Sequence, residues 1–325
     1  MKAVVFSRYG GPAALELVEL DRPTPAAGEV LIRVHAVSIN DWDLGLLLGA
    51  PVVNRLQAGL LVPGRRRIVG SDVAGRVEAV GRGVGVFRPG DLVYGDLSGR
   101  WGGFAEYVCA PVERLTPKPE AMTFVEAAAL PQAVALALQG LVDVGRLRGG
   151  EKVLINGAGG GVGTLGAQIA RLSDAELTGV DRGSKLEKLR ALGFDHVLDY
   201  THEDFTRTGR TYDLVLDVKT RRSPLGYLRA LTPGGRYVTV GGSPSRLVQT
   251  LCLGPWITMR TGKSTRVVIL KANKDMAHVN ELFESGALRP VIDRTFPLHE
   301  ARDAMRYYAE GDFVGKIVVT VPGAD

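Results

Sequence analysis

The densest run of small residues in the chain is Gly157-Ala158-Gly159-Gly160-Gly161-Val162-Gly163, set between a strand-like stretch, Lys152 to Asn156, and a helix-like stretch, Val162 to Ser173. A strand that turns through glycines into a helix lets backbone amides approach a pyrophosphate, whose charge is met at the helix N-terminus. The register nearest to a dinucleotide GxGxxG fingerprint is Ala158, Gly160 and Gly163, with Ala in the first place. Asp181, 18 residues past Gly163 at the end of the next expected strand, would accept ribose hydroxyls and repel a 2′-phosphate. Arg182, Ser184 and Lys185 follow at once, and these are groups that would hold a 2′-phosphate. The pattern points to a nicotinamide dinucleotide. It leaves NAD against NADP open, with a lean to NAD if Asp181 points inward. A glycine-rich turn that binds nothing is the alternative, and the strand before, the helix after and the acid in register weigh against it.

Other chemistries are excluded by inspection. None of the nine tyrosines has Lys at i+4, the pairing used by the tyrosine-dependent reductases, and no Gly-x-Ser-x-Gly elbow exists for a serine hydrolase. The two cysteines, Cys109 and Cys252, form no CxxC, so neither a disulfide framework nor a cysteine-rich zinc lobe is available, and a reducing, cytoplasmic setting is expected. The five histidines, His35, His196, His202, His278 and His299, are scattered and read as structural. A net charge of +5, with Arg65-Arg66-Arg67 and Arg221-Arg222 lacking interleaved aromatics, gives little support to nucleic-acid binding. The most apolar stretch, Ala127 to Val142, is broken by Pro131, Gln132, Gln139 and Gly140 and is too short to span a membrane. The N-terminus lacks the apolar core of a secretory signal.

The elements that position these residues follow from periodicity. Short β-type runs at Lys2 to Phe6, Glu29 to Ile39, Asp72 to Gly81, Asp91 to Tyr94 and Phe104 to Cys109 suggest an all-β module. Thr123 and Glu126 are spaced as a capping box before an Ala-rich helical stretch, which sets an expected boundary near residue 121. From Glu151 strands and helices alternate: strands at Leu177 to Asp181, His196 to Leu198, Asp213 to Val218 and Arg236 to Gly241, and helices at Leu186 to Leu192, capped by Ser184, and Pro224 to Leu231. The tail carries an expected strand at Val267 to Lys271, helices near Asp275 to Ser285 and His299 to Glu310, and a last strand at Lys316 to Val321.

Further motifs sit around the turn: Gly70-Ser71-Asp72-Val73-Ala74-Gly75-Arg76-Val77-Glu78-Ala79-Val80-Gly81, Phe87-Arg88-Pro89-Gly90-Asp91-Leu92-Val93, Gly102-Gly103-Phe104-Ala105-Glu106-Tyr107 and Gly315-Lys316-Ile317-Val318-Val319. With these the chain resembles, over essentially its whole length, the medium-chain dehydrogenase/reductase superfamily, and within it the zinc-independent quinone oxidoreductase-like branch. The resemblance implies an α/β fold in which a Rossmann doubly wound parallel sheet is inserted in a GroES-like β-barrel domain. Residues 1–121, completed by 264–325, would form the substrate domain, and 122–263 the dinucleotide domain.

Zinc-dependent members carry His and Glu where this chain has Ser71 and Asp72, and Cys near Asn40, so the resemblance implies no metal. It places Asn40 beside the nicotinamide as a candidate donor to a developing oxyanion; its other reading is a turn residue closing the preceding strand. It also brings Tyr200 near the adenosine, Gly241, Gly242 and Ser243 near the nicotinamide ribose, and Lys316 near the cleft. The apolar stretch Trp42 to Val62 would line the wall for an apolar acceptor. Relatives often have Thr where this chain has Leu136. Hydride transfer from NAD(P)H to a quinone or an α,β-unsaturated carbonyl is the expected activity. Alcohol dehydrogenase-like activity and a non-catalytic dinucleotide-binding sensor are the alternatives. As in relatives, Val267 to Lys271 would pair across a two-fold axis in a homodimer.

Overall fold

Short β-branched runs punctuated by Gly and Pro become strands through the first part of the chain. The computed structural model describes residues 1–51, 55 and 67–323. Its first elements are β1 (Lys2–Phe6), β2 (Glu16–Glu19), β3 (Glu29–Ser38), helix α1 (Asp41–Leu48), β4 (Arg67–Ile68), β5 (Asp72–Val80), β6 (Leu92–Asp96), β7 (Tyr107–Pro111) and β8 (Thr116–Pro117). Helices α2 (Phe124–Ala129) and α3 (Pro131–Leu138) follow. Thr123 and Glu126 close the capping box as expected: the Glu126 amide donates to Thr123 Oγ1 at 3.2 Å and the Thr123 amide to Glu126 Oε2 at 2.9 Å.

Alternating strands and helices then build a second unit from β9 (Lys152–Asn156), α4 (Gly161–Arg171), β10 (Glu176–Asp181), α5 (Leu186–Ala191), β11 (His196–Asp199), β12 (Tyr212–Asp217), α6 (Pro224–Tyr227), β13 (Leu231–Thr239), α7 (Pro244–Thr261) and β14 (Ser264–Val267). The sheet order is β11-β10-β9-β12-β13-β14 and every pairing is parallel. The order reverses beside β9, so the loops after β9 and β12 flank the switch point of a doubly wound sheet, where such folds bind ligands.

The chain then returns through α8 (Met276–Glu284), β15 (Ile292–Pro297), α9 (Ala301–Glu310) and β16 (Lys316–Thr320). β15 and β16 join β3, β5, β6 and β8 in one sheet, with β7 also paired to β3. β3 is the hub: it holds β5, β7 and β16, and its Val30, Ile32, Val34 and Val37 lie fully buried in a core shared with Val73, Phe104, Ile317 and Val319. Asn273 fastens the returning segment: its side chain accepts from the Asp96 amide at 2.7 Å and donates to the Asp96 carbonyl at 2.9 Å, in the manner of a strand partner.

The division of the chain differs from the expected one. The first unit comprises Met1–Gln132, Ala272–Gly286 and Ile292–Asp325, and the second Ala133–Lys271 with Ala287–Val291. The expected boundary at 121 moves because α2 buries Ala127, Ala128 and Ala129 and packs on β3 and β5. The change of texture there marks a new element and not a new domain. The expected boundary at 264 moves because β14 pairs with β13; the strand itself covers Ser264–Val267 and not Val267 to Lys271. Helix α7 went unread, its pattern obscured by Gly254 and Pro255 inside it. Lys185, not Ser184, stands at the N-cap of α5, because a 3-10 turn at Gly183–Lys185 precedes it. Val52, Val53, Leu60, Leu61, Arg65 and Arg66 lie outside the described residues.

Replacing Asn273 with Ala leaves the Asp96 amide and carbonyl without this partner. A loss of about 2 kcal/mol is expected, read as a lower urea midpoint at unchanged slope.

Candidate active site

In the second unit the candidate residues gather at the C-terminal edge of the parallel sheet. The turn after β9 is built by close approach. Gly157 has φ 86°, and a Cβ on Gly163 would stand 2.5 Å from the carbonyl oxygens of Gly157 and Ala158. Ala158 is fully buried under the turn, while Gly160, Gly161 and Val162 are partly exposed at the mouth of α4. The first amides of α4 have no carbonyl one turn earlier in the helix, which makes this mouth an anion-binding position. The residues therefore fit a dinucleotide pyrophosphate. Gly159, which the fingerprint register passed over, is also crowded, by side chains where Gly163 meets backbone: a Cβ on it would lie 2.8 Å from Lys185 Cδ and 2.9 Å from Asp181 Oδ2. Only the fold reveals this, because the crowding comes from the next strand and helix.

Asp181 ends β10 with its carboxylate turned back onto the glycine turn. Oδ2 accepts from the Gly159 amide at 2.8 Å, and Oδ1 accepts from the Arg182 amide at 2.9 Å with Lys185 Nζ at 3.6 Å. Asp181 and Lys185 are each 7% exposed. Lys185, one of the groups expected for a 2′-phosphate, is thus ion-paired to Asp181. Arg182 Nε donates to the hydroxyl of the exposed Tyr200 at 3.0 Å.

The loops after β12 and β13 are locked together. A Cβ on Gly242, at φ 121°, would lie 2.5 Å from the Thr220 backbone, and the Ser243 amide donates to the Thr220 carbonyl at 2.9 Å. Behind them Asp217 is fully buried and accepts from Asn156 Nδ2 at 2.7 Å, Thr220 Oγ1 at 3.0 Å and the Tyr237 hydroxyl at 2.8 Å. Gly241 ends this edge, and Ser243 opens α7 at its N-cap. No sequence motif pointed to Asp217.

The first unit holds a separate buried cluster around Asn40. Pairing aligns Val318, Ser38, Asp72 and Asp96 across β16, β3, β5 and β6, so two carboxyl groups face each other across β5 and β6. Both are fully buried. Lys316 Nζ enters from β16 and donates to Asn40 Oδ1 at 2.5 Å and to the Ile39 carbonyl at 3.2 Å, with Asp72 Oδ2 at 3.9 Å. Asn40 Nδ2 donates to Ser71 Oγ at 3.2 Å, Ser71 Oγ to Asp43 Oδ2 at 3.4 Å, and the Gly70 amide to Asp43 Oδ1 at 3.0 Å. Asn40 also caps α1, as its turn reading required. Burial pushes Asp72 up to about 8, with Asp96 adding and Lys316 opposing. Burial likewise raises Asp43 to about 7 and lowers Lys316.

Comparison with known proteins places this geometry. The chain matches the models described as "Alcohol dehydrogenase GroES-like domain" over residues 26–120 and "Zinc-binding dehydrogenase" over residues 192–319. It is 31% identical to the chloroplast envelope quinone oxidoreductase homolog of Arabidopsis thaliana, with 98% of each chain covered. The chain belongs to the medium-chain dehydrogenase/reductase superfamily, in its quinone oxidoreductase-like branch. Among solved structures it is similar to the quinone oxidoreductase from Coxiella burnetii, at TM-score 0.86, 28% identity and 99% of each chain covered. It is similar also to CurK enoyl reductase, at TM-score 0.84, 29% identity and 99% of each chain covered. This medium-chain reductase is NAD(P)H-dependent, with a GroES-like domain and a Rossmann domain.

Zinc, which one family model names, does not fit the residues present. Asn40 and Ser71 offer an amide and a hydroxyl in place of strong donors, and the cation seated on Asn40 Oδ1 is the Lys316 ammonium. Among the described residues no three His, Cys, Asp or Glu side chains assemble as a metal set. His196, His202, His278 and His299 each lie beside a carboxylate, and His35 stacks on Phe124 at 3.9 Å.

Asp72 and Asp43 bind protons more tightly folded than unfolded. Their contribution to stability is fully present below the ordinary carboxylate pKa of 3.8 and is lost as pH rises through about 7 for Asp43 and about 8 for Asp72. Thermal melts are expected to show Tm falling as pH rises across that window. D72N, which keeps the shape and removes the titration, flattens the upper part of the slope.

Proposed function

We propose that this reductase works without zinc and passes hydride to a quinone or an α,β-unsaturated carbonyl. The observation that supports the reading is the Lys316–Asn40 contact: Asn40, near where the resemblance implies a Cys ligand in zinc-dependent members, has its Oδ1 taken by the Lys316 ammonium. The names of the relatives, quinone oxidoreductase and enoyl reductase, support the class of acceptor. An electron-poor acceptor of this kind needs no Lewis acid. The bound nicotinamide supplies the hydride. The protein's part is to bind and orient: the mouth of α4 takes the pyrophosphate, Gly241, Gly242 and Ser243 approach the nicotinamide ribose, and Asn40 gives an amide hydrogen to the oxygen that gains charge.

NADH is the proposed coenzyme. Asp181 ends β10 and Lys185 is held on it, so a 2′-phosphate meets an acidic side chain and loses one of its expected cations. Following absorbance of NADH and NADPH with a panel of quinones, enones and alcohols tests both halves. Turnover of quinones or enones with NADH is expected; activity confined to alcohols, or tight coenzyme binding with no turnover on any acceptor, overturns the reading. D181S, which releases Lys185, is expected to shift kcat/KM toward NADPH by about 10-fold, the scale of one charged contact.

A homodimer in a reducing, cytoplasmic setting completes the proposal. β14 is an outer strand, Ile269 just beyond it is 79% exposed, and α7 turns Val248, Leu251, Trp256 and Met259 to solvent. Both cysteines are free thiols. Sedimentation velocity at micromolar concentration is expected to return a dimer, and a monomer overturns the assignment.

A further inference from the structure

The geometry points to Lys316 as a positioning residue for the reduction, acting through the amide of Asn40; this rests on the reading of Asn40 as the donor to the acceptor's oxygen. A side-chain amide has two ends, and in solution either can face an incoming carbonyl. Here the ambiguity is removed from both sides. Lys316 Nζ can only donate, and it takes Asn40 Oδ1 at 2.5 Å, while the opposite end, Nδ2, gives one hydrogen to Ser71 Oγ at 3.2 Å. The Ser71 hydroxyl passes its own hydrogen to Asp43, so the direction of the chain is set as far as the carboxylate. The remaining Nδ2 hydrogen is the one that can serve an oxygen gaining negative charge.

Lys316 is itself fixed. The Ile39 amide donates to the Ile317 carbonyl at 3.1 Å, which pins the start of β16 against the residue before Asn40. The Ile39 carbonyl accepts from Nζ at 3.2 Å, and the neighbouring acids, Asp72 foremost and then Asp43, oppose the burial that lowers the Lys316 pKa. At 4% exposure the ammonium is screened little by solvent. Asp72 competes for the Asn40 amide, but burial raises its pKa, and an acid that holds its proton more tightly is a weaker acceptor than an oxyanion. The cluster therefore holds an amide donor preorganised in a buried setting, the condition under which such a donor lowers a barrier most.

The test is a double-mutant cycle on the purified full chain, with NADH and an active quinone or enone. N40A is expected to lower kcat by about 100-fold. K316M should lower kcat by about 10-fold or more while leaving the dissociation constant for NADH within about twofold. K316Q, which keeps an N–H for Asn40 without the charge, should recover part of that loss. In the N40A background K316M should add less than about twofold, because a residue that acts through Asn40 has nothing left to position. Independent, multiplying losses overturn the proposal, as does a K316M enzyme with normal kcat and weakened NADH binding. Where K316M does not fold, D72N/K316M removes the carboxyl left unbalanced and takes its place in the cycle.

A second readout needs no turnover. The side-chain NH2 resonances of Asn40, identified as the pair missing from N40A, are expected to move in K316M and to stay near the wild-type position in K316Q. An unmoved pair in K316M overturns the proposal. If wild-type protein turns over no acceptor, the reductase reading fails, and the resonances still decide whether Lys316 sets the amide.

Discussion

Two carboxyl groups buried opposite each other in adjacent strands are the constraint around which the first unit is arranged. Asp72 and Asp96 face one another across β5 and β6, out of reach of water, where desolvation and then the neighbouring Asp96 push the Asp72 pKa up. Such a pair persists only with compensation, and Lys316 supplies it from β16, a strand contributed by the far end of the chain. The discontinuous domain thus has an electrostatic reason as well as a topological one. Without the returning tail, the GroES-like unit would carry two unbalanced acids at its centre. Asn273 and Asn280 reinforce the same closure, the first on the Asp96 backbone and the second accepting from the Tyr94 hydroxyl at 2.6 Å.

The second unit repeats the principle on a smaller scale. Asp181 is held by the Gly159 and Arg182 amides and by Lys185, so its carboxyl group serves first to lock β10 and the start of α5 onto the turn. Asp217 does the same for the loops after β12 and β13, gathering Asn156, Thr220 and Tyr237 around one carboxylate. Both acids lie at the C-terminal edge of the sheet, where the loops that carry the chemistry need rigidity and cannot draw it from strand pairing. Hydrogen bonds donated to a carboxylate are the stronger kind and suit that task.

Legibility followed the physical range of each signal. The strands Lys152–Asn156 and Lys2–Phe6, the capping box at Thr123 and the switch from sheet to alternating elements are local patterns, and each appears within a residue or two of its expected place. Helix α7 was missed because Gly254 and Pro255 interrupt its pattern and its apolar stripe faces solvent and not a core, so periodicity read as inward packing has nothing to find. The strand near residue 267 was displaced by three positions because Val267 to Lys271 is the more apolar run, whereas hydrogen bonding to β13 selected Ser264–Val267.

The sequence by itself determined the class of protein: a dinucleotide-binding turn in its strand and helix context, and the motifs of the medium-chain superfamily in order. These are matters of composition and local spacing, which a linear chain displays in full. The roles within the candidate site were decided only by tertiary structure. That Lys185 sits on Asp181, that both crowd Gly159, and that Lys316 reaches Asn40 all depend on side chains that the fold brings together. The physical reason is that a charged or polar side chain takes its meaning from its partner. In a folded protein, strand pairing chooses that partner, not distance along the sequence.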